Sequence, residues 1–279
     1  MGEFIKSHRE TVVLATKFSL ATPGNDPNAS GNHRKSMKQA AEASLKRLQT
    51  EYIDLYWAHM WDGITPVEEV MRGLDDLVRQ GKVLYVGISD APAWWIAQAN
   101  TLAELRGWTR FTGLQIEYNL IERTVERELV PMAKALNLGV LAWSPLAKGV
   151  LTGKYLGEGK TDGARLSIEG MKEFLPEGQR AAPIISAVKS VSEQTGRSMS
   201  QVALAWLRHQ TVPVIPIIGA RKVSQLQDNL GSLDLELSAE QLQSLDGAGQ
   251  IELGFPQSAY ERESTRAVRY GGVWDRLLL

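Results

Sequence analysis

The sequence predicts an α/β fold on a parallel sheet, of the TIM (β/α)8-barrel type rather than doubly wound. Three observations predict it. Short apolar, β-branched segments alternate with amphipathic helical stretches, and such alternation with short connections builds parallel sheets through right-handed crossovers. Polar residues recur at the C-terminal ends of the strand segments, which is the face that carries chemistry in a barrel. No strand is followed by the G-x-G-x-x-G turn of doubly wound folds.

In chain order, the strands are expected at Thr11–Lys17, Ile53–His59, Val83–Ser89, Gly113–Tyr118, Val140–Ser144 and Val214–Ile218. Each is short and largely apolar, as expected where both faces are buried. The first helix is expected over His33–Gln49, where Met37, Ala41, Leu45 and Leu48 share one face. Thr65-Pro66-Val67-Glu68 has the form of a capping box with proline at the first helical position, and Gly81 would end that helix after Gln80. Helices are also expected over Val125–Leu136 and Val223–Leu233, and the capping pattern returns at Ser198–Gln201 and Ser238–Gln241. Pro145–Gln179 is too long for an ordinary connection and is expected to cover a ligand. The tail after Gly249 shows no periodicity, and its apolar end, Val273–Leu279, is expected to dock on the body.

Composition narrows the function classes. The 31 Lys and Arg nearly balance the 32 Asp and Glu, for a net charge of −1, so nothing favours nucleic acid or a membrane surface. No apolar run approaches the roughly 20 residues of a membrane span. With no cysteine, thiolate catalysis and Cys-ligated metals are excluded. No His-x-x-x-His or carboxylate cluster points to a metal. Residues 1–13 lack a secretory apolar core, and the cytoplasm is the expected compartment.

The strand ends carry a resemblance. Leu14–Phe18 (LATKF), Asp54–His59 (DLYWAH), Val86–Ser89 (VGIS), Leu114–Asn119 (LQIEYN), Ala142–Tyr155 (AWSPLAKGVLTGKY) and Ile215–Leu230 (IPIIGARKVSQLQDNL) follow one another at barrel-like spacing. Together they resemble the aldo-keto reductase superfamily as far as about Gly249. The resemblance implies one barrel domain over 1–279, with 250–279 as a tail, that reduces aldehydes or ketones with NADPH. By position, Lys17 and His59 match the family's catalytic lysine and histidine. Trp143 matches the aromatic that stacks on the nicotinamide, and Ser89, Asp90 and Gln115 the contacts to its carboxamide, although Asp90 replaces the common Asn or Arg. Ser144, Leu146, Lys148 and Gly149 match the pyrophosphate loop, and Lys154 and Arg165 its clamp. Gly219, Arg221, Gln225, Asp228 and Asn229 match the adenosine site. The Arg221 guanidinium suits a 2′-phosphate, which selects NADP(H) over NAD(H).

The resemblance also implies a barrel lacking its first two β/α units, because the family's aspartate and tyrosine precede the LATK strand and only MGEFIKSHRE stands before Thr11. Self-association through the open edge, or low stability, is the expected consequence, with a small carbonyl compound as the expected substrate. The competing expectation is a module that binds NADP(H) with little or no turnover. Met60, Trp61 and Asp62 follow His59 and are expected to rim a pocket for a bulky or aromatic carbonyl. Trp57 is expected in the core, and Trp94, Trp95 and Trp108 are expected to pack an outer helix.

Overall fold

In the computed structural model, which describes residues 1–21, 26–154, 178–260, 262–273 and 276–277, the first strand begins later than its apolar sequence predicts, and Arg9 shows why. Gly2–Ile5 form a short helix, α1, and Lys6–Thr11 a 3-10 turn. From that turn the Arg9 guanidinium pairs with Asp54 at 2.6 Å and donates to the Tyr52 carbonyl at 2.8 Å. It also lies 4.0 Å from the Tyr52 ring centroid. The Leu14 N–H then goes to the Asp54 carboxylate at 2.9 Å instead of a neighbouring carbonyl. The ladder therefore opens at Ala15, and β1 is Ala15–Phe18.

The remaining elements follow in alternation: α2 (Arg34–Leu48), β2 (Ile53–Ala58), α3 (Val67–Arg79), β3 (Val83–Ser89), α4 (Ala93–Arg106), β4 (Phe111–Glu117), α5 (Leu129–Ala135) and β5 (Gly139–Trp143). Then come α6 (Gly178–Thr195), α7 (Met199–Arg208), β6 (Val214–Pro216), α8 (Val223–Leu230), α9 (Ala239–Ala248), α10 (Gln257–Tyr260) and α11 (Glu263–Tyr270). By proximity the chain divides into two units. One comprises Met1–Glu117, Met132–Trp143 and Gln210–Ile217; the other comprises Tyr118–Pro131, Ser144–His209 and Ile218–Leu279.

The first unit holds all six described strands, in the order β1-β2-β3-β4-β5-β6, every pair parallel. Among the described residues, β1 and β6 each have one partner strand, and Val13, shortly before β1, and Ile215, within β6, are exposed. One register row runs Lys17, Trp57, Gly87, Gly113, Gly139. Residues in such a row project from one face. The Trp57 indole lies against two of these glycines, where an added Cβ would meet its ring at 2.4 Å (Gly87) and 2.8 Å (Gly113). The expected core role of Trp57 is therefore met by glycines on the neighbouring strands. The other face packs on helices: the Tyr56 hydroxyl donates to the Met37 carbonyl of α2 at 3.1 Å, and Asn100 of α4 both donates to and accepts from the Phe111 backbone.

Lys17 of β1 reaches Gln115 of β4, three strands away in the order. In a flat sheet that separation is about 14 Å, too far for two side chains standing off the same face. The sheet is curled, consistent with a TIM-type barrel.

In the second unit, α7 packs against α6 and α8, and α6 packs against α9. The predicted capping boxes at Ser198–Gln201 and Ser238–Gln241 are both formed. Val202 to Leu207 of α7 are all buried. Arg123, 8% exposed, joins this core. It donates to Glu126 at 2.7 and 3.0 Å and to the Asp246 carbonyl at 3.0 Å, and lies 5.1 Å from the Trp206 ring.

Several expectations are corrected. The box at Thr65–Glu68 does not form: Pro66 is the cap residue of α3, with no side-chain cap, because Asp62 takes both the N–H and the hydroxyl of Thr65. The Val125–Leu136 helix splits into a 3-10 turn at Thr124–Glu126 and α5. Pro131 has no N–H and must sit in a first turn. The last strand stops at Pro216, and the Ile217 N–H just beyond it still donates to the Ala142 carbonyl at 2.8 Å. Val223–Leu233 ends its α-helix at Leu230 and continues as a 3-10 turn. The tail is not structureless but holds α10 and α11, neither of which buries a residue. With only Val268 as a large aliphatic residue, α11 offers no apolar stripe to read. Val273 and Leu277 are exposed rather than docked. Most of the long segment after Pro145 lies outside the described residues.

Candidate active site

The row above the glycines, toward the C-terminal ends of the strands, is polar. Ser89 is paired in register with Gln115, and His59 stands one residue beyond Ala58, the partner of Ile88. His59, Ser89 and Gln115 are therefore level with one another, one step above the row of Lys17 and Trp57. The parallel register thus converges residues 17, 59, 89 and 115 on one face.

Lys17 donates from Nζ to Gln115 Oε1. Burial pushes the Lys17 ammonium below its ordinary range, and the Asp90 carboxylate opposes that shift. Two ammonium hydrogens remain after the bond to Gln115. The His59 N–H is held by the Phe18 carbonyl at 3.0 Å and by Ser19 Oγ at 3.1 Å. Its imidazole makes no hydrogen bond among the described residues. Burial lowers the His59 pKa, the Lys17 charge lowers it further and Asp90 raises it. A neutral imidazole next to an ammonium can orient a polar oxygen with its N–H. Ser89 is fully buried, and its hydroxyl has no partner. A buried hydroxyl without a partner fits a ligand with a hydrogen-bonding edge, such as an amide.

Asp90 turns out of β3 with φ 45°, a left-handed conformation that Asp tolerates better than most residues. Its carboxylate accepts the Trp143 Nε1–H at 3.0 Å. Of the expected carboxamide contacts, Gln115 and Asp90 are thus already engaged and Ser89 is not. Trp143 is half-buried at the end of β5.

Met60 is exposed, as expected of a rim residue. Asp62 instead ties the loop together, accepting from the N–H groups of Asn32, Ile64 and Thr65. Trp61 meets the ring of Trp94 edge-on at 5.8 Å, and Trp94 is 61% exposed, so it does not pack its helix as expected. Trp95 does, at 3% exposure, against Phe111. Trp108 lies 5.7 Å from the Arg72 guanidinium.

The second unit contains the other predicted residues. Ala147, Lys148 and Gly149 are successively left-handed, with φ of 48°, 55° and 96°, and Ser144 also has φ 54°. Ser144 Oγ accepts the Lys148 N–H at 3.2 Å. An added Cβ at Gly149 would lie 2.6 Å from Lys154 Nζ. Such strain concentrates where a loop serves a ligand. Leu146 flanks this turn. Gly219 has open space where a Cβ would stand. Arg221 and Gln225 are exposed, and Gln225 Oε1 accepts the Arg221 N–H at 2.9 Å. Asp228 accepts from Ser198 at 3.0 Å, and Asn229 is buried, so both serve packing in this state. Arg165 lies outside the described residues.

Sequence reading missed Ser19, which clamps His59 from a φ of 98°, and Asn32, fully buried with an unpartnered Oδ1 and an amide that donates to the Met60 carbonyl at 3.0 Å. Neither belongs to a motif or an apolar face. No group of His, Asp or Glu among the described residues could hold a metal ion, and no described helix is long and apolar enough to cross a membrane.

Norsolorinic acid reductase A of Aspergillus parasiticus is 34% identical over 276 residues, covering 96% of this chain and 69% of that protein. Norsolorinic acid reductase stcV of Emericella nidulans is 37% identical over 265 residues, covering 92% and 66%. An aryl-alcohol dehydrogenase [NADP(+)] of Phanerodontia chrysosporium is 36% identical over 272 residues, covering 92% and 70%. The chain thus spans about two thirds of the length of these oxidoreductase relatives. The family model described as Aldo/keto reductase family matches residues 1–250. With lysine and histidine set at successive strand ends of a curled parallel sheet and a family match over most of its length, this chain belongs to the aldo-keto reductases.

Proposed function

We propose that the chain reduces an aldehyde or ketone with NADPH as hydride donor. The observation that carries this reading is the convergence of Lys17, His59 and Ser89 on one sheet face, with hydrogen-bonding capacity left over on all three. Ser89 and Trp143 would hold the nicotinamide end of the cofactor. The strained 144–149 turn with Lys154, and separately Gly219 and Arg221, are proposed for its phosphates; Gln225, Asp228 and Asn229 are assigned to the adenosine end by resemblance alone. When bound, NADPH supplies the hydride. The neutral His59 donates an N–H to the substrate oxygen and orients the carbonyl. The Lys17 ammonium stabilises the negative charge that develops on that oxygen, and the oxygen takes its proton from water as the alcohol forms. The relatives named for norsolorinic acid and aryl alcohols favour aromatic substrates.

The test is consumption of NADPH in the presence of a methoxylated benzaldehyde, followed by the nicotinamide absorbance. Turnover supports the reading; tight NADPH binding without turnover would replace it with a binding module. One observation favours that second reading: no tyrosine hydroxyl is hydrogen-bonded to Lys17 among the described residues. Self-association is also proposed, from the exposed Val13 before β1 and the exposed Ile215 of β6. Sedimentation of a monomer at every concentration would remove it.

A further inference from the structure

Asp90 touches three elements at once. Its N–H donates to the Gln115 carbonyl at 3.2 Å, its own carbonyl accepts the Trp61 N–H at 3.4 Å, and its carboxylate accepts the Trp143 indole N–H at 3.0 Å. The last of these bonds links the end of β3 to the end of β5 across the intervening β4. We propose that Asp90 is the positioning residue of the site: its carboxylate holds the Trp143 indole in the orientation that receives the nicotinamide, so it acts on cofactor binding through Trp143. This rests on the reductase reading.

The arrangement is more than the satisfaction of a polar atom. Trp143 is half-buried, and a side-chain carboxylate takes its N–H. The chain adopts a left-handed turn at Asp90 and places an ionised acceptor there, and hydrogen bonds to charged acceptors are the stronger and more directional kind. The charged and titratable groups that act on this carboxylate are Lys17 from β1 and His59 after β2. The negative charge therefore also balances the Lys17 ammonium.

The test uses the full chain with 15N-labelled tryptophan. The Trp143 indole resonance is identified by its loss in Trp143→Phe. Asp90→Ala is expected to move that resonance, and Asp90→Asn, which keeps an acceptor oxygen, to move it much less. By fluorescence titration, Asp90→Ala is expected to weaken NADPH binding about tenfold, the loss of one good hydrogen bond. Asp90→Asn is expected to stay within about threefold of wild type, as a neutral acceptor in place of a charged one. In the Trp143→Phe background, Asp90→Ala should add almost nothing, because no indole N–H remains to hold. Asp90→Ser, whose hydroxyl is too short to reach, substitutes if the alanine variant fails to fold. Equal losses in both backgrounds, or an unmoved Trp143 resonance, would overturn the positioning role while leaving the reductase reading intact. No NADPH binding by the wild type would remove that reading and the positioning role with it.

Discussion

The Lys17 ammonium donates to the Gln115 side-chain carbonyl across two intervening strands, so the curl of the sheet and the placement of a cation in the site are one structural fact. Removing that cation is expected to abolish chemistry without harming the fold. Lys17→Met should lower kcat/KM by about 10²–10⁴, the range for a positioned proton or charge donor. Burial lowers the folded-state pKa of Lys17 below its unfolded value. The unfolded chain therefore binds the proton more tightly, and stability rises with pH through the window between the two values. Below that window the charged lysine is a liability, so the methionine variant should melt no lower than wild type at pH 7 by calorimetry. A large drop in melting temperature would contradict this account.

His59 should titrate below its ordinary value of about 6.5, since burial and Lys17 both disfavour its charged form. The neutral form is then the one present at pH 7. As pH falls, the unfolded state takes up the proton first, so stability is lost between the ordinary value and the lower folded one. An NMR titration of the imidazole C–H signals checks this. Lys17→Met should raise the midpoint, and Asp90→Asn should lower it. A wild-type midpoint above 6.5 would refute the electrostatic description.

The glycine row tests the seat of Trp57. A methyl at Gly87 meets the indole at 2.4 Å and at Gly113 at 2.8 Å, whereas at Gly139 the nearest atom is a carbonyl at 3.9 Å. Overpacking of this kind destabilises by about 1–3 kcal/mol. Gly87→Ala and Gly113→Ala should fall in or above that range in urea denaturation. Gly139→Ala should be neutral or stabilising by about 0.5 kcal/mol, because alanine loses less backbone entropy. Equal effects at all three positions would show that the indole does not decide the matter.

Arg123 is expected to be the most sensitive charge of the second unit. Removing the arginine takes both guanidinium bonds from Glu126, which keeps the Tyr118 hydroxyl at 2.8 Å, and also removes the bond to the Asp246 carbonyl and the contact with Trp206. Arg123→Met should lose about 3–5 kcal/mol, as for a broken buried pair. Adding Glu126→Gln should recover part of it. Additive losses in the double variant would count against the coupling.

Arg221 is exposed, and its planar fork suits a phosphate. If it selects the 2′-phosphate, Arg221→Ala should weaken NADPH about tenfold or more, in line with loss of a charged hydrogen bond, and leave NADH unchanged. Isothermal titration with both cofactors decides it; equal losses would place Arg221 elsewhere.

Legibility followed locality. Val83–Ser89 was readable to the residue because a short β-branched run between turn signals has few other uses. The two Ser–Gln capping boxes were readable because both partners lie three residues apart. The Thr65 box was not, because Asp62 competes for the same groups. The late start of β1 depends on Arg9 meeting Asp54, 45 positions along the chain.

The sequence alone determined the alternation of parallel strands and helices, and it placed Lys17, His59, Ser89 and Gln115 at strand ends, since burial periodicity and turn chemistry act over a few residues. Tertiary structure decided which of them face one another: that Gln115 holds Lys17, that Asp90 holds Trp143, and that Trp57 fills the space left by Gly87 and Gly113. Those contacts join residues that strand register and sheet curl bring together, and neither register nor curl is written in any local run of amino acids.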